Sequence, residues 1–158
     1  MTHDIVQAGI AHAGVMEALH RDSFEARWSK QSFLDLLAQS NVNGWIAGST
    51  APMGFVLIRT AADEAEVLTL AVGMPYRRQG VAQSLILCVL KWLKESAVEF
   101  WHLEVADDND AAIALYQSLG FSESGRRAKY YLSPNGHADA ILMTKQVSNF
   151  SSISDRTR

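Results

Sequence analysis

Residues 66–96 constrain this chain more than any other stretch. Val67, Leu68, Leu70, Ala71 and Val72 make a nearly unbroken apolar run, the pattern of a strand covered on both faces and therefore central in its sheet. The loop Gly73, Met74, Pro75, Tyr76, Arg77, Arg78, Gln79 and Gly80 follows directly. From 81 to 96 the apolar residues recur at 82, 85, 86, 89, 90 and 93, the period of a long amphipathic helix. The same order then returns: 100–106 is strand-like, Asp107 and Asp108 make a turn, and 110–119 predicts a helix closed by Gly120. Two successive strand, loop and helix units predict a mixed α/β chain.

Ahead of these units, a short β-like stretch at 4–6 leads into 11–20, where Val15, Met16 and Leu19 recur at helical spacing. Ser29 is a good N-cap for a second helix over 30–40, whose apolar stripe is Phe33, Leu36 and Leu37. Two β-rich stretches, 44–48 and 53–60, flank Ser49, Thr50, Ala51 and Pro52, a composition that favours a hairpin. After the second unit, 121–132 and 138–146 read as β segments joined through Ser133, Pro134, Asn135 and Gly136. Residues 1–147 are expected to form one domain, and the Ser/Arg/Asp-rich 148–158 a disordered tail.

With 48% apolar and 20% charged residues in 158, the chain has the balance of a soluble globular domain. A net charge of -3, from 14 basic and 17 acidic residues, does not fit a nucleic-acid-coating protein, so no direct nucleic-acid binding is expected. The apolar runs fall far short of the roughly 20 residues that span a bilayer, and the expected location is the cytoplasm, with no membrane partner. One cysteine, Cys88, excludes an intrachain disulfide, and its place in the apolar stripe of 81–96 reads as a small buried residue. His3, His12, His20, His102 and His137 show no metal-ligand spacing, so no metal is expected.

The loop ahead of the long helix carries the most specific chemistry. A glycine-containing loop that opens a helix after a buried strand presents unpaired N–H groups and the positive end of the helix dipole to an anion. In Arg77-Arg78-Gln79-Gly80-Val81-Ala82, Gly80 permits close backbone approach, Ala82 keeps the first turn open, and two arginines add charge for a pyrophosphate. Taken alone, the hexapeptide is equally an ordinary surface loop. It is neither the Gly-x-x-x-x-Gly-Lys-Ser/Thr cradle nor the Gly-x-Gly-x-x-Gly turn, which counts against ATP and NAD chemistry.

Arg77 to Ala82 fits the pattern Arg/Gln-x-x-Gly-x-Gly/Ala, and 109–121 reads Asn-Asp-Ala-Ala-Ile-Ala-Leu-Tyr-Gln-Ser-Leu-Gly-Phe. On these two blocks the chain resembles the GCN5-related N-acetyltransferases, GNAT, over 4–146. Leu103-Glu104-Val105, Arg126-Arg127-Ala128-Lys129-Tyr130-Tyr131 and the segment 24–29 ending in Trp28-Ser29 are most similar to the bacterial ribosomal-protein-alanine N-acetyltransferases within that family.

The resemblance implies a mixed α/β fold with a central, mostly antiparallel twisted sheet, splayed at an acetyl-CoA site and flanked by about four helices. It implies that Arg77, Arg78, Gln79, Gly80, Val81 and Ala82 hold acetyl-CoA, the co-substrate. Backbone groups at Leu70, Ala71 and Val72 would meet its pantetheine arm and the reacting carbonyl, and Asn109 and Tyr116 would also contact it. Tyr116 is implied as the acid that protonates the departing thiolate. Phe24, Trp28, Tyr130 and Tyr131 are implied as walls for an acceptor, the N-terminal segment of a protein, with a ribosomal-protein alanine as the implied residue.

Glu104 is the candidate base. Period two puts His102, Glu104 and Ala106 on one strand face, and a carboxylate between Leu103 and Val105 is costly unless hydrated or paired. A peptide α-amine, with a reference pKa of roughly 7.7 to 8.0, is mostly protonated at neutral pH and needs such a base, acting directly or through water. The residues leave rivals open. Glu104 can also be read as a solvent-facing or salt-bridged carboxylate, Tyr116 as a core tyrosine with its hydroxyl satisfied, and the aromatics as core, while Asn109 reads equally as an N-cap. Arg126, Arg127 and Lys129 would orient an acidic partner or stay exposed for solubility. A lysine side chain or small amine as acceptor, or a non-catalytic acyl-CoA sensor, would use the same fold.

Overall fold

The computed structural model describes residues 3–24, 28–133 and 136–147, with the side chains of 129 and 131–133 outside that description. Seven strands share one sheet in the order β1-β2-β3-β4-β5-β7-β6. They are β1 (Ile5–Ala8), β2 (Val42–Ala47), β3 (Gly54–Ala61), β4 (Glu64–Val72), β5 (Phe100–Ala106), β6 (Ser122–Ser133) and β7 (Gly136–Gln146). The helices are α1 (Ala13–Arg21), α2 (Lys30–Leu37), α3 (Val81–Lys94) and α4 (Asp110–Ser118). The expected tail at 148–158, and Pro134 and Asn135 of the last hairpin, lie outside the described residues.

Strand alternation divides the core into two layers. Val56 and Ile58 of β3 join Trp101, Leu103 and Val105 of β5 and the buried stripe Val81, Leu85, Ile86, Val89, Leu90 and Leu93 of α3. Phe55 and Leu57 point the other way, to Ala13 and Met16 of α1 and Phe33 of α2. A strand with both faces buried is the physical counterpart of a central sheet position. On α3 the stripe is narrower than the sequence suggests: Leu87 is 46% exposed and Cys88 only half-buried, so Cys88 lies at the margin of the core rather than inside it.

Local chemistry fixes the element ends. Ser29 caps α2 by accepting from the Ser32 N–H at 3.1 Å. That helix stops at Leu37 rather than 40, because the Gln39 N–H turns back to Leu36 and the Val42 N–H to Gln39 to start β2. The first helix opens later than expected, with a tight turn at Ile10–His12 in which His12 Nδ1 accepts from the Gly9 N–H at 3.0 Å. Gly120 follows α4 at φ +96°, a left-handed residue closing the helix.

The feature that creates the site lies between β4 and β5. These strands pair in parallel at Glu64 with Phe100, Ala65 with Trp101 and Glu66 with His102, and no further, although β4 runs on to Val72 and β5 to Ala106. On its other side β4 stays paired with β3, where Leu57 faces Thr69 and Ile58 faces Val67. Leu68 is therefore an extra residue, a bulge that bends β4 away from β5. All other neighbouring strands in the sheet are antiparallel.

Candidate active site at the splayed strands

Backbone alternation decides which groups of β4 face the gap. The Gly73 N–H donates to Met53, and the Thr60 N–H of β3 donates to Asn41 beside β2. In step with these bonds, Ala71 and Thr69 turn their backbone groups to β3, whereas Leu70 and Val72 turn theirs to the edge that β5 leaves unpaired. Leu70 and Val72 thus meet the gap. Ala71 does not: its N–H lies in the ladder opposite Phe55 and its side chain is buried.

At the end of β4 the loop holds two left-handed residues, Arg78 at φ +62° and Gly80 at φ +79°. The Gly80 Cα has open space around it, with only His3 Nε2 at 4.0 Å from an added Cβ, so it is the backbone conformation that asks for glycine. Gly80 gives α3 no side-chain cap. Among the described residues, no acceptor meets the N–H groups of Val81, Ala82 and Gln83, so they point out of the helix start as a ready anion cradle. The Gln79 side chain is turned away from the cradle, its Nε2 donating to Pro75 O at 3.1 Å, and its carbonyl oxygen lies 2.7 Å from His3 Nε2. Arg77 also departs from expectation. Its Nε donates to Val72 O at 3.1 Å and its Nη2 to Ser23 Oγ at 3.3 Å, so it ties the loop to β4 and to the turn after α1 instead of reaching for an anion. Arg78 has no side-chain partner among the described residues and is the cation left for a diphosphate. An uncapped helix start, an open glycine and a free guanidinium fit the phosphates of a coenzyme A thioester.

On β5, burial alternates as the sequence predicts: Trp101, Leu103 and Val105 are buried, and His102, Glu104 and Ala106 half-buried on the opposite face. Glu104 is salt-bridged, with Arg127 Nη2 of β6 at 3.1 Å from its Oε1. The Arg127 guanidinium also lies over the Tyr130 ring, 5.3 Å from its centre. His102 is not within the Glu104 constellation, since its ring bonds Thr144 Oγ1 at 2.8 Å and Glu64 Oε1 at 3.0 Å. Arg126 meets Asp139 at 3.0 Å, Asp107 at 3.3 Å and Glu123 at 3.5 Å. Both arginines expected to greet a charged partner are thus engaged within the chain.

Tyr116 enters from the other face. It lies in the layer of Leu103 and Val105, packs edge-on to Phe121 at 5.9 Å, and is 9% exposed. Burial pushes its phenol up to about 12, and its hydroxyl bonds none of the described residues. Glu104 and Tyr116 therefore belong to opposite faces of the sheet. Asn109 is the N-cap of α4, its Oδ1 accepting from the Ala112 N–H at 3.2 Å, which leaves its amide NH2 free to donate.

The expected acceptor walls are partly open. Phe24 is 42% and Tyr130 55% exposed, which separates both from the core, and the Tyr131 side chain lies outside the described residues. Trp28 is half-buried. It stacks on His20 at 5.1 Å, and Phe24 covers the same imidazole at 4.5 Å. His20 went unassigned in the sequence, although its spacing of four from Phe24 on the end of a helix was the available signal. It is buried, accepts the Trp28 N–H on Nδ1 at 3.4 Å, and burial lowers its pKa.

A sheet splayed beside an uncapped helix start, with a carboxylate on one face and a buried phenol on the other, has the groups that acyl transfer from a thioester to an amine calls for. Residues 14–121 match the acetyltransferase (GNAT) family, and the chain belongs to that family and is an N-acetyltransferase. It is 34% identical over 121 residues to the [ribosomal protein bS18]-alanine N-acetyltransferase of Escherichia coli K12, spanning 77% of this chain and 82% of that one. The crystal structure of the ribosomal-protein-S18-alanine N-acetyltransferase from Escherichia coli superposes with a TM-score of 0.87 at 28% identity, over 93% of this chain and 95% of that one. Arabidopsis thaliana NAA60, solved with a bisubstrate analogue, is similar at a TM-score of 0.78 and 25% identity, over 90% and 98% of the two chains. Among the described residues no helix is long and apolar enough to cross a membrane, and no cluster of His, Cys, Asp or Glu could hold a metal ion.

Proposed function

We propose that the chain transfers acetyl from acetyl-CoA to the N-terminal α-amino group of a protein, a ribosomal-protein alanine, by direct attack in a ternary complex. The observation that carries this reading is the β4–β5 gap, with Glu104 of β5 on one face of the sheet and Tyr116 in the layer on the other. The similarity to an alanine N-acetyltransferase supports the acceptor class, because alanine within a protein has a free amine only at the N-terminus. The bisubstrate analogue held by a similar fold supports simultaneous occupancy by both substrates.

In this account Arg78 and the N–H groups that open α3 hold the diphosphate, and Asn109 donates to the coenzyme from the start of α4. The N–H groups of Leu70 and Val72 donate to the thioester oxygen as charge grows on it, which is the strongest use of a fixed dipole in a sheltered site. Glu104 takes the proton from the attacking amine, directly or through one water, as the new C–N bond forms. Tyr116 gives its proton to the sulfur as the C–S bond breaks, so that an amide and a free thiol leave. Phe24, Trp28, Tyr130 and Tyr131 line the approach of the peptide.

Thiol release from acetyl-CoA with two peptides tests the reading. A peptide with a free N-terminal alanine is expected to give release, and one with a blocked terminus and an internal lysine none. Release with the lysine peptide alone would replace the acceptor class, and coenzyme binding without release for either would point to a sensor.

A further inference from the structure

The sheet places Glu104 and Arg127 on strands that are not neighbours. Glu104 faces Leu142 across β5 and β7, and Leu142 faces Gly125 of β6. The row containing Arg127 is two residues along: Arg127 faces Ala140, which faces Ala106. With strands roughly 4.8 Å apart, the β5 and β6 backbones lie about 10 Å from each other across β7. Arg127 reaches Glu104 only by lying diagonally over the sheet, and the small residues Ala140 and Gly125 leave its path open. At Gly125 an added Cβ would come within 2.9 Å of the end of the Leu142 side chain, so a larger residue there would push that leucine aside.

The register beyond Arg127 is equally specific. Pairing jumps from Arg127 with Ala140 to Tyr131 with Ala138, four steps on β6 against two on β7. The surplus residues bend β6 and bring Tyr130 back over the guanidinium. An exposed ion pair of this kind contributes little to stability, and Arg127 is 53% exposed. Yet the bulge, the small-residue row and the aromatic cover all converge on holding one carboxylate oxygen.

We propose that Arg127 is a positioning residue for acetyl transfer: by holding Oε1 of Glu104 it directs Oε2, which no described residue bonds, at the incoming amine. This rests on the reading of Glu104 as base. Arg127 fixes the carboxylate's orientation and couples it to the acceptor wall at Tyr130, while the proton itself moves through Oε2.

The test is a double-mutant cycle with R127A, E104Q and both together, read by steady-state kinetics with the alanine peptide. R127A is expected to lower kcat about tenfold, the scale of a modest misplacement of a catalytic group, with KM for acetyl-CoA unchanged. R127K, which restores a cation at shorter reach, is expected to recover part of that loss. In the E104Q background R127A should have no further effect, because its target is gone. An equal loss in both backgrounds, or no loss with R127A while E104Q is impaired, overturns the inference and leaves Glu104 as base. Full activity of E104Q overturns the reading of Glu104 and the inference with it. The split between kcat and KM and the rescue by R127K separate positioning from a role in folding alone.

Discussion

A phenol pushed up to about 12 by burial keeps its proton at every pH used for assay. Tyr116 therefore stays protonated across the assay range, and the pH–rate profile is expected to show no descending limb from it below about 12. Y116F is expected to lower kcat about a hundredfold, the lower end of general acid contributions, with acetyl-CoA binding retained; activity near wild type would remove Tyr116 from the chemistry. The positions of Glu104 and Tyr116 were legible because strand alternation and the 109–121 block put each on a definite face. What a side chain pairs with was not. Arg127 reads as a loose surface charge, and its partner emerges only when β7 inserts between β5 and β6. Arg77 reads as a phosphate ligand, and its tie to Val72 and Ser23 depends on how the loop folds back over α1.

Elements were read more surely than contacts, because their signals are local. The strand 100–106 and the start of α3 at Val81 fall where apolar periodicity and the glycine loop put them. The splay was expected only through family resemblance, since the Leu68 bulge and the end of β4–β5 pairing are matters of long-range register. Gly80 tests the loop at this scale. Replacing it with alanine at φ +79° is expected to cost about 1 to 2 kcal/mol, from left-handed backbone strain rather than collision. Because that strain displaces the N–H groups opening α3, weaker binding of acetyl-CoA should accompany it in calorimetry. Unchanged affinity would show that the cradle is not the coenzyme's anchor.

Across the whole molecule, His20 of α1 joins Phe24, Trp28 and Phe33 of α2. Burial holds its folded pKa below 6.5. The unfolded chain then binds more protons as pH falls below about 6.5, so this contribution to stability is whole above that value and is lost as pH drops through the folded pKa. Thermal unfolding is expected to show a decline in Tm on acidification that H20F flattens; parallel curves for both proteins would exclude the effect. In the proposed account the same packing sets Phe24 and Trp28 on the acceptor side and α3 and α4 on the coenzyme side, with the splayed sheet between them. The claim that this arrangement serves an α-amine is tested most directly with one peptide carrying both a free N-terminal alanine and an internal lysine, incubated with acetyl-CoA and mapped by tandem mass spectrometry. The account predicts acetyl on the terminal nitrogen and none on the lysine; acetyl on the lysine with the terminus free would contradict it.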